Sequence, residues 1–308
     1  MGVTIRRSLR DQYVDRLKGI VSPNFGDRKI LIVGTGAGSY MAEKLARFSP
    51  RRIKLCDFDA VSVANLCRTN YRFEDAIGGK LKVDALADRI AEVNPLVEVV
   101  TYPLDITMVG HDILADMFEG VDLVVAGTDH FEAQSLINRV ACQRGIPAVF
   151  VGIHENAHGG RVVWTVPGLT PCYRCVARER FAAAARDGGK GLDLPSALGS
   201  LVDCQFIDMV ALKVVVAILE RGEESALGRF FESMGKRNDI VVRCDPEYGW
   251  GSQLWDALLS DLPKQPRDFG RELREVALLA MDTLWLAGER DPDCPVCGTS
   301  ARAEEERA

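Results

Sequence analysis

From residue 29 to residue 151, short apolar runs alternate with stretches in which apolar side chains recur every third or fourth position. That is the pattern of buried strands separated by amphipathic helices. The run Lys29-Ile30-Leu31-Ile32-Val33 breaks at Gly34-Thr35-Gly36-Ala37-Gly38 and passes into a helix over about 39–48. A second strand over 52–56 ends at Asp57-Phe58-Asp59. A long polar connection, 60–79, then leads to a helix over 80–93 with Leu81, Ala85, Leu86, Ile90 and Val93 at helical spacing. Strands over 97–101, 121–126 and 146–151, with helices over 111–118 and 131–143 between them, complete the alternation. It predicts an α/β fold, a mostly parallel sheet with helices on both faces, whose ligands sit at the carboxyl ends of the strands. Gly34, Gly36, Gly38, Asp57 and Asp129 then share one rim.

The remainder is less regular. Residues 161–166 read as an antiparallel extension of the sheet and run into Pro171-Cys172-Tyr173-Arg174-Cys175. From 176 to 200, alanines and Asp187-Gly188-Gly189-Lys190-Gly191 read as a loop-like segment crossing the fold. There follow an apolar helix over 203–219, a strand over 239–243, aromatic Tyr248-Gly249-Trp250, a helix over 271–279, and Asp293-Cys294-Pro295-Val296-Cys297-Gly298. The charged end, 301–308, reads as disordered.

Composition adds bounds to this picture. With 308 residues and 47% hydrophobic content the chain can bury the core of a large α/β domain. A net charge of −6 argues against nucleic acid or an anionic membrane as the main partner. No apolar run approaches bilayer length, and the N-terminal arm carries arginines without an apolar leader, so a cytoplasmic location is expected. The nine cysteines are odd in number and four fall in two Cys-x-x-Cys pairs. In a reducing compartment this points to metal: a structural four-cysteine zinc site of Cys172, Cys175, Cys294 and Cys297.

Glycines between a strand and a helix let backbone approach a phosphate, and the helix N-terminus aims partial positive charge at it. Ser39 stands where the dinucleotide fingerprint has its third glycine. Asp57 and Asp59 are placed to accept from a ribose, and their alternation lets one of them reach it. The plainer readings are that Arg68 and Lys82 are solvated charges, Asp129 a helix cap, and Asp57 and Asp59 turn formers. Their common place at strand ends speaks against these. His154-Glu155-Asn156-Ala157-His158 fits a metalloprotease pattern that works only on a helix, and between two strands it reads as a polar turn.

Together the motifs Asp57-Phe58-Asp59, Asn65-Leu66-Cys67-Arg68, Gly79-Lys80-Leu81-Lys82-Val83, Asn94-Pro95, Gly127-Thr128-Asp129-His130-Phe131 and the two cysteine pairs resemble those of the adenylating enzymes that activate ubiquitin-like proteins. These are the E1-like enzymes and their bacterial relatives of the ThiF, MoeB and HesA type, with a Rossmann-like fold. The resemblance runs over 30–219 and resumes at the second cysteine pair. It implies ATP as substrate, with Asp57 on the ribose, Asn65 and Arg68 on the triphosphate, Lys82 on phosphate and Asp129 holding Mg2+. It also implies a homodimer that lends an N-terminal arginine, Arg10 or Arg16, to the partner's site. The partner protein would be a ubiquitin-like or sulfur-carrier protein. The chain then divides into an N-terminal arm, 1–28, an ATP-binding domain, 29–220, an extension completing the zinc site, 221–300, and a tail. Three departures stand out: a Gly loop one residue shorter than the family's, a loop before Lys82 one residue longer, and extra chain over 221–289. Activation of a peptide, a modified tRNA base or another acyl group is the first alternative. A nicotinamide-dependent oxidoreductase would leave Asn65, Arg68 and Lys82 without a role, and a dead scaffold would not fill every charged position. Residues 176–200 hold no cysteine, and Cys204 reads as a buried helix cysteine, so direct transfer of the acyl-adenylate is expected without a thioester.

Overall fold

Alternate residues of the first strand enter two different cores. Ile30 and Ile32 lie in one, Leu31 and Val33 in the other. This is why the run carries no polar alternation, because both faces of the sheet are covered. The computed structural model describes residues 2–36, 38–154, 157–186, 199–245 and 281–298. Among them the strands are β1 (Lys29–Val33), β2 (Arg52–Cys56), β3 (Glu98–Tyr102), β4 (Leu123–Ala126), β5 (Ala148–Ile153), β6 (Gly159–Thr165), β7 (Asp239–Arg243) and β8 (Asp282–Leu286). They form one eight-stranded sheet in the order β3-β2-β1-β4-β5-β6-β7-β8. The pairings among β1 to β5 are parallel and those from β5 through β8 antiparallel.

The helices are α1 (Gly2–Tyr13), α2 (Ser39–Ala46), α3 (Phe73–Ile77), α4 (Lys82–Val93), α5 (His111–Phe118), α6 (Phe131–Gln143), α7 (Tyr173–Val176), α8 (Arg178–Arg186), α9 (Leu201–Leu219) and α10 (Ala226–Met234). Residues of α2, α4, α9 and α10 fill the core on one face; those of α5, α6, α7 and α8 fill the other. The expected α/β architecture is therefore present, antiparallel extension included. Val33 pairs with Cys56 on one side and Ala126 on the other, so β1, β2 and β4 end level. The loops that begin at Gly34, Asp57 and Gly127 leave the sheet at one height.

Four elements escape the sequence pattern. The stretch Arg178–Arg186 reads as loop by sequence, but alanine is the best helix former and Phe181 and Ala184 are buried. Helix α10 starts at Ser225, whose side chain accepts from the Gly228 amide. Strand β8 is half-buried throughout and is held by pairing with β7 rather than by a pattern of its own. The arm forms α1. The expected helix over 271–279, Tyr248-Gly249-Trp250, the tail over 301–308, Glu155 and Asn156 lie outside the described residues, as do 187–198 of the crossing segment.

Lys54 sits at the centre of a strand. Lys54 of β2 is 4% exposed, and its Nζ donates to the carbonyls of Asp116, Met117 and Glu119 at the end of α5. A cation there complements the negative end of the helix, where Asp116 O also accepts from the Glu119 amide at 3.2 Å. Burial still lowers its pKa, with Asp116 opposing.

Candidate functional site

Of the three spaced glycines, one is demanded by the backbone. Gly34 has φ +87°, and a Cβ there would stand 2.7 Å from the Gly127 carbonyl and the Thr128 nitrogen. The loops after β1 and β4 pack against each other at this point, with the Gly127 amide donating to Val33 O at 2.8 Å. Gly36 has nothing within 4 Å of where its Cβ would be, and Gly38 meets only an ordinary contact at 3.5 Å. No side chain caps the N-terminus of α2, so its first-turn amides face the rim without a protein acceptor of that kind.

Asp57 and Asp59 divide their work. Asp57 Oδ2 accepts from the Thr35 amide at 2.7 Å and from Thr35 Oγ1 at 3.1 Å, and Oδ1 accepts from the Asp59 amide at 3.0 Å. Tyr71 closes the arrangement by donating to Thr35 O. Asp59 accepts instead from Lys82 Nζ at 2.6 Å, and its carbonyl accepts from the Lys82 amide at 2.9 Å. Lys82 opens α4, where the positive end of the helix disfavours a cation. Its side chain is 11% exposed and that of Asp59 is 50%, so a buried stem carries an ammonium to the surface of the rim.

The connection over 60–79 is ordered by short helical turns and packs on α2. Tyr40 donates to Thr69 O at 3.1 Å, and buried Asn70 donates to Glu43 at 3.2 Å. Asn65 accepts from Ser62 Oγ at 2.9 Å, and its carbonyl receives the Arg68 amide at 3.1 Å. Arg68 is half-buried, and its charge acts on the thiol of Cys204 at the head of α9. Asp129 is exposed at the end of β4. Because β1 lies between β2 and β4, Asp57 and Asp129 flank the Gly loop.

Arg10 and Arg16 behave differently. Arg10 donates to Gly26 O and Leu96 O of its own chain, both at 2.9 Å, whereas Arg16 is exposed.

Cys204 is fully buried. Burial first, then the nearby Asp208, pushes its pKa up to about 11, so the helix N-terminus does not make it a thiolate. His154 follows the last residue of β5, its amide donating to Gly159 O at 3.0 Å while Ile153 pairs with Gly160. The flanks of the metalloprotease-like pattern thus belong to two antiparallel strands. Burial, helped by Arg161 and Arg180, lowers the His154 pKa to about 4.

The sulfur atoms of Cys172, Cys175, Cys294 and Cys297 lie within 4.8 Å of one another. Individual separations are 3.9 Å for Cys172–Cys175, 3.7 Å for Cys172–Cys294 and 3.5 Å for Cys175–Cys297. A tetrahedron with Zn–S bonds of about 2.3 Å has edges of roughly 3.8 Å, so the donor set fits zinc. The Asn138 amide group at 3.7 Å from Cys172 and the Asp291 amide at 3.5 Å from Cys175 supply the donors that thiolate ligands attract. Gly298 is required here, since a Cβ would meet Pro292 O at 2.4 Å.

Sequence reasoning misses Thr35 and Tyr71, which hold the loop against Asp57, and Gln134, Tyr173 and Arg180 near Asp129. A glutamine on the inward face of α6, 2% exposed, is the available signal.

The ThiF family profile matches residues 24–247. The chain is 30% identical to ubiquitin-like modifier-activating enzyme 5 of Dictyostelium discoideum, covering 68% of this chain and 58% of that protein. It is 32% identical to the protein of that name from Oryza sativa subsp. japonica, covering 56% and 45%. The chain thus spans about half the length of these curated relatives. In three dimensions it is similar to the E. coli MccB crystal structure with ATP, with a TM-score of 0.60 at 17% identity over 89% of this chain and 68% of that one. At that identity the likeness concerns the fold.

Proposed function

The chain belongs to the ThiF family, and from that premise we propose that it uses ATP to adenylate the C-terminal carboxylate of a ubiquitin-like or sulfur-carrier protein. The observation that carries this reading is Lys82: a largely buried cation on the first turn of a helix, its ammonium held by Asp59, two residues beyond the Asp57 that binds Thr35 of the Gly loop. The positive helix end disfavours a cation there, Asp59 offsets that cost, and the half exposure of Asp59 leaves the ammonium able to meet a phosphate as well. An oxidoreductase would leave it unexplained.

In the reaction a carboxylate oxygen attacks the α-phosphorus of ATP, the bond to the bridging oxygen of the β-phosphate breaks, and pyrophosphate leaves, giving acyl-AMP. The attacking group is already ionised at neutral pH, so no base is required. Two anions must be brought together and held in line, which calls for cations and positioning. Asp57, anchored through Thr35, is set to receive the ribose, while the α2 N-terminus and Gly36 face the phosphates. Asn65 and Arg68, on the connection packed against α2, and Lys82 bind the triphosphate. Asp129 offers a carboxylate of the hard-oxygen type that suits Mg2+, which when bound neutralises phosphate charge. The exposure of Arg16, against the self-contained bonding of Arg10, favours Arg16 as the side chain lent across a homodimer. The burial of Cys204 supports release of the acyl-adenylate to an external thiol or amine rather than to a thioester on Cys204, and a thiol-sensitive adduct surviving Cys204→Ala would point to Cys67, Cys142 or Cys244 instead.

The test is exchange of labelled pyrophosphate into ATP in the presence of Mg2+ and a carrier protein with a free C-terminus. Exchange is expected, with Lys82→Ala and Asp129→Ala each lowering it by about 10²-fold while melting temperature is kept. Exchange driven by a short peptide and not by carrier proteins would favour the peptide-activating alternative, and tight NADH binding without ATP binding would refute adenylation.

A further inference from the structure

The segment following the first cysteine pair reaches back over the loop that carries Asp129. Arg180 of α8 lies over Phe131, its guanidinium carbon 5.2 Å from the ring centroid. Its Nη1 donates to the Tyr173 hydroxyl at 2.9 Å and to Gln134 Oε1, and its Nη2 donates to the Asp129 carbonyl at 3.1 Å. Gln134 in turn donates from Nε2 to the Thr128 carbonyl at 2.6 Å. The two consecutive carbonyls at 128 and 129 are therefore each held by a side chain.

The same network runs on to the cysteine cluster. The Tyr173 hydroxyl donates to Gln134 Oε1 at 2.8 Å, the Tyr173 amide donates to Asn138 Oδ1 at 3.0 Å, and the Asn138 amide group lies 3.7 Å from Cys172 Sγ. Gln134 and Asn138 sit one turn apart on α6 and are 2% and 1% exposed. Packing alone does not call for this. An apolar side chain on Phe131 would fill the space without stripping water from a guanidinium.

We propose that Arg180 is a positioning residue: through the Asp129 carbonyl, and with Gln134 on Thr128, it fixes the direction in which the Asp129 carboxylate leaves the rim. The proposal rests on the adenylation reading, in which that carboxylate would hold Mg2+. Such a ligand needs its backbone fixed to about half an ångström, and a loop between a strand and a helix does not supply that by itself. Tyr173, placed between the two cysteines of the first pair, joins this support to the metal centre.

The experiment measures ATP binding by calorimetry across a Mg2+ series for the full chain, Arg180→Ala, Arg180→Lys and Tyr173→Phe, with zinc content and melting temperature recorded for each. In Arg180→Ala the half-saturating Mg2+ concentration is expected to rise about tenfold, the scale for losing a residue that orients a metal ligand, while Mg2+-free ATP affinity and zinc content stay unchanged. Arg180→Lys, with one compact donor, is expected to fall between. A wild-type Mg2+ dependence in Arg180→Ala overturns the proposal. If that variant does not fold, Tyr173→Phe decides: its ring stack on Phe150, at 4.1 Å, survives and only the hydroxyl is lost. An unchanged Mg2+ dependence there overturns the proposal as well, and a shift in the same direction sustains it. Failure of the unaltered chain to bind ATP in any condition overturns the adenylation reading itself, a result distinct from the variants' behaviour.

Discussion

Asp208 stands in the apolar helix α9 at 1% exposure, with Oδ2 lacking any hydrogen-bond partner. Burial raises its pKa well above the usual 3.8, against a small opposing pull from Lys44. The consequence for stability has a definite sign. As pH rises past about 4 the unfolded chain releases this proton while the folded chain retains it, so the unfolded state gains and stability falls until the folded pKa is passed. Asp208→Asn carries no charge at any pH. It is expected to match the parent near pH 4 and to exceed it by a growing margin as pH rises towards 8. Melting curves across that range would read this as a gap that widens with pH, and a gap that stays constant would refute it. Spacing alone leaves two aspartates in play. Asp57 turns to Thr35 and Asp59 to Lys82, a choice made by what each side chain faces beyond the end of β2.

The turn between β1 and α2 separates two uses of glycine. Gly34→Ala would force a Cβ onto the Gly127 backbone at 2.7 Å in a left-handed conformation, so a loss of about 2 kcal/mol or more is expected, read as a lowered melting temperature. Gly36→Ala meets nothing within 4 Å and should leave stability within about 0.5 kcal/mol while weakening ATP binding. Equal loss of stability in both would contradict the distinction. Most elements of the parallel half are legible because each strand is a short apolar run and each helix is amphipathic on its own. Helices α8 and α10 and strand β8 are not. The alanines of α8 read as loop, while β8 is stabilised by its neighbour in the sheet and not by any periodicity.

At the scale of the whole molecule, the cysteine cluster ties residues 172 and 175 to residues 294 and 297, across more than a hundred positions of chain. Arg290 donates to Thr170 O at 2.9 Å, and Gly288 to Asn238 Oδ1 at 2.9 Å, so the last described residues dock on the same corner. Metal there should contribute folding energy outright. The purified chain is expected to carry one zinc per protomer, and Cys294→Ser to lower zinc content and melting temperature together. A metal-free chain of undiminished stability would refute this. Sequence by itself determined the alternation of elements, the rim shared by the Gly loop and the acidic strand ends, and the two cysteine pairs. All of these are recorded in local spacing, since strand, turn and helix signals act over a few residues. Only the tertiary structure decided the strand order that sets Asp57 and Asp129 on either side of the Gly loop, the contact of Lys82 with Asp59, the self-contained bonding of Arg10, and the reach of Arg180 to Asp129. Each of these joins residues distant in the chain, and such pairings are chosen by the packing of two cores, which no local pattern contains.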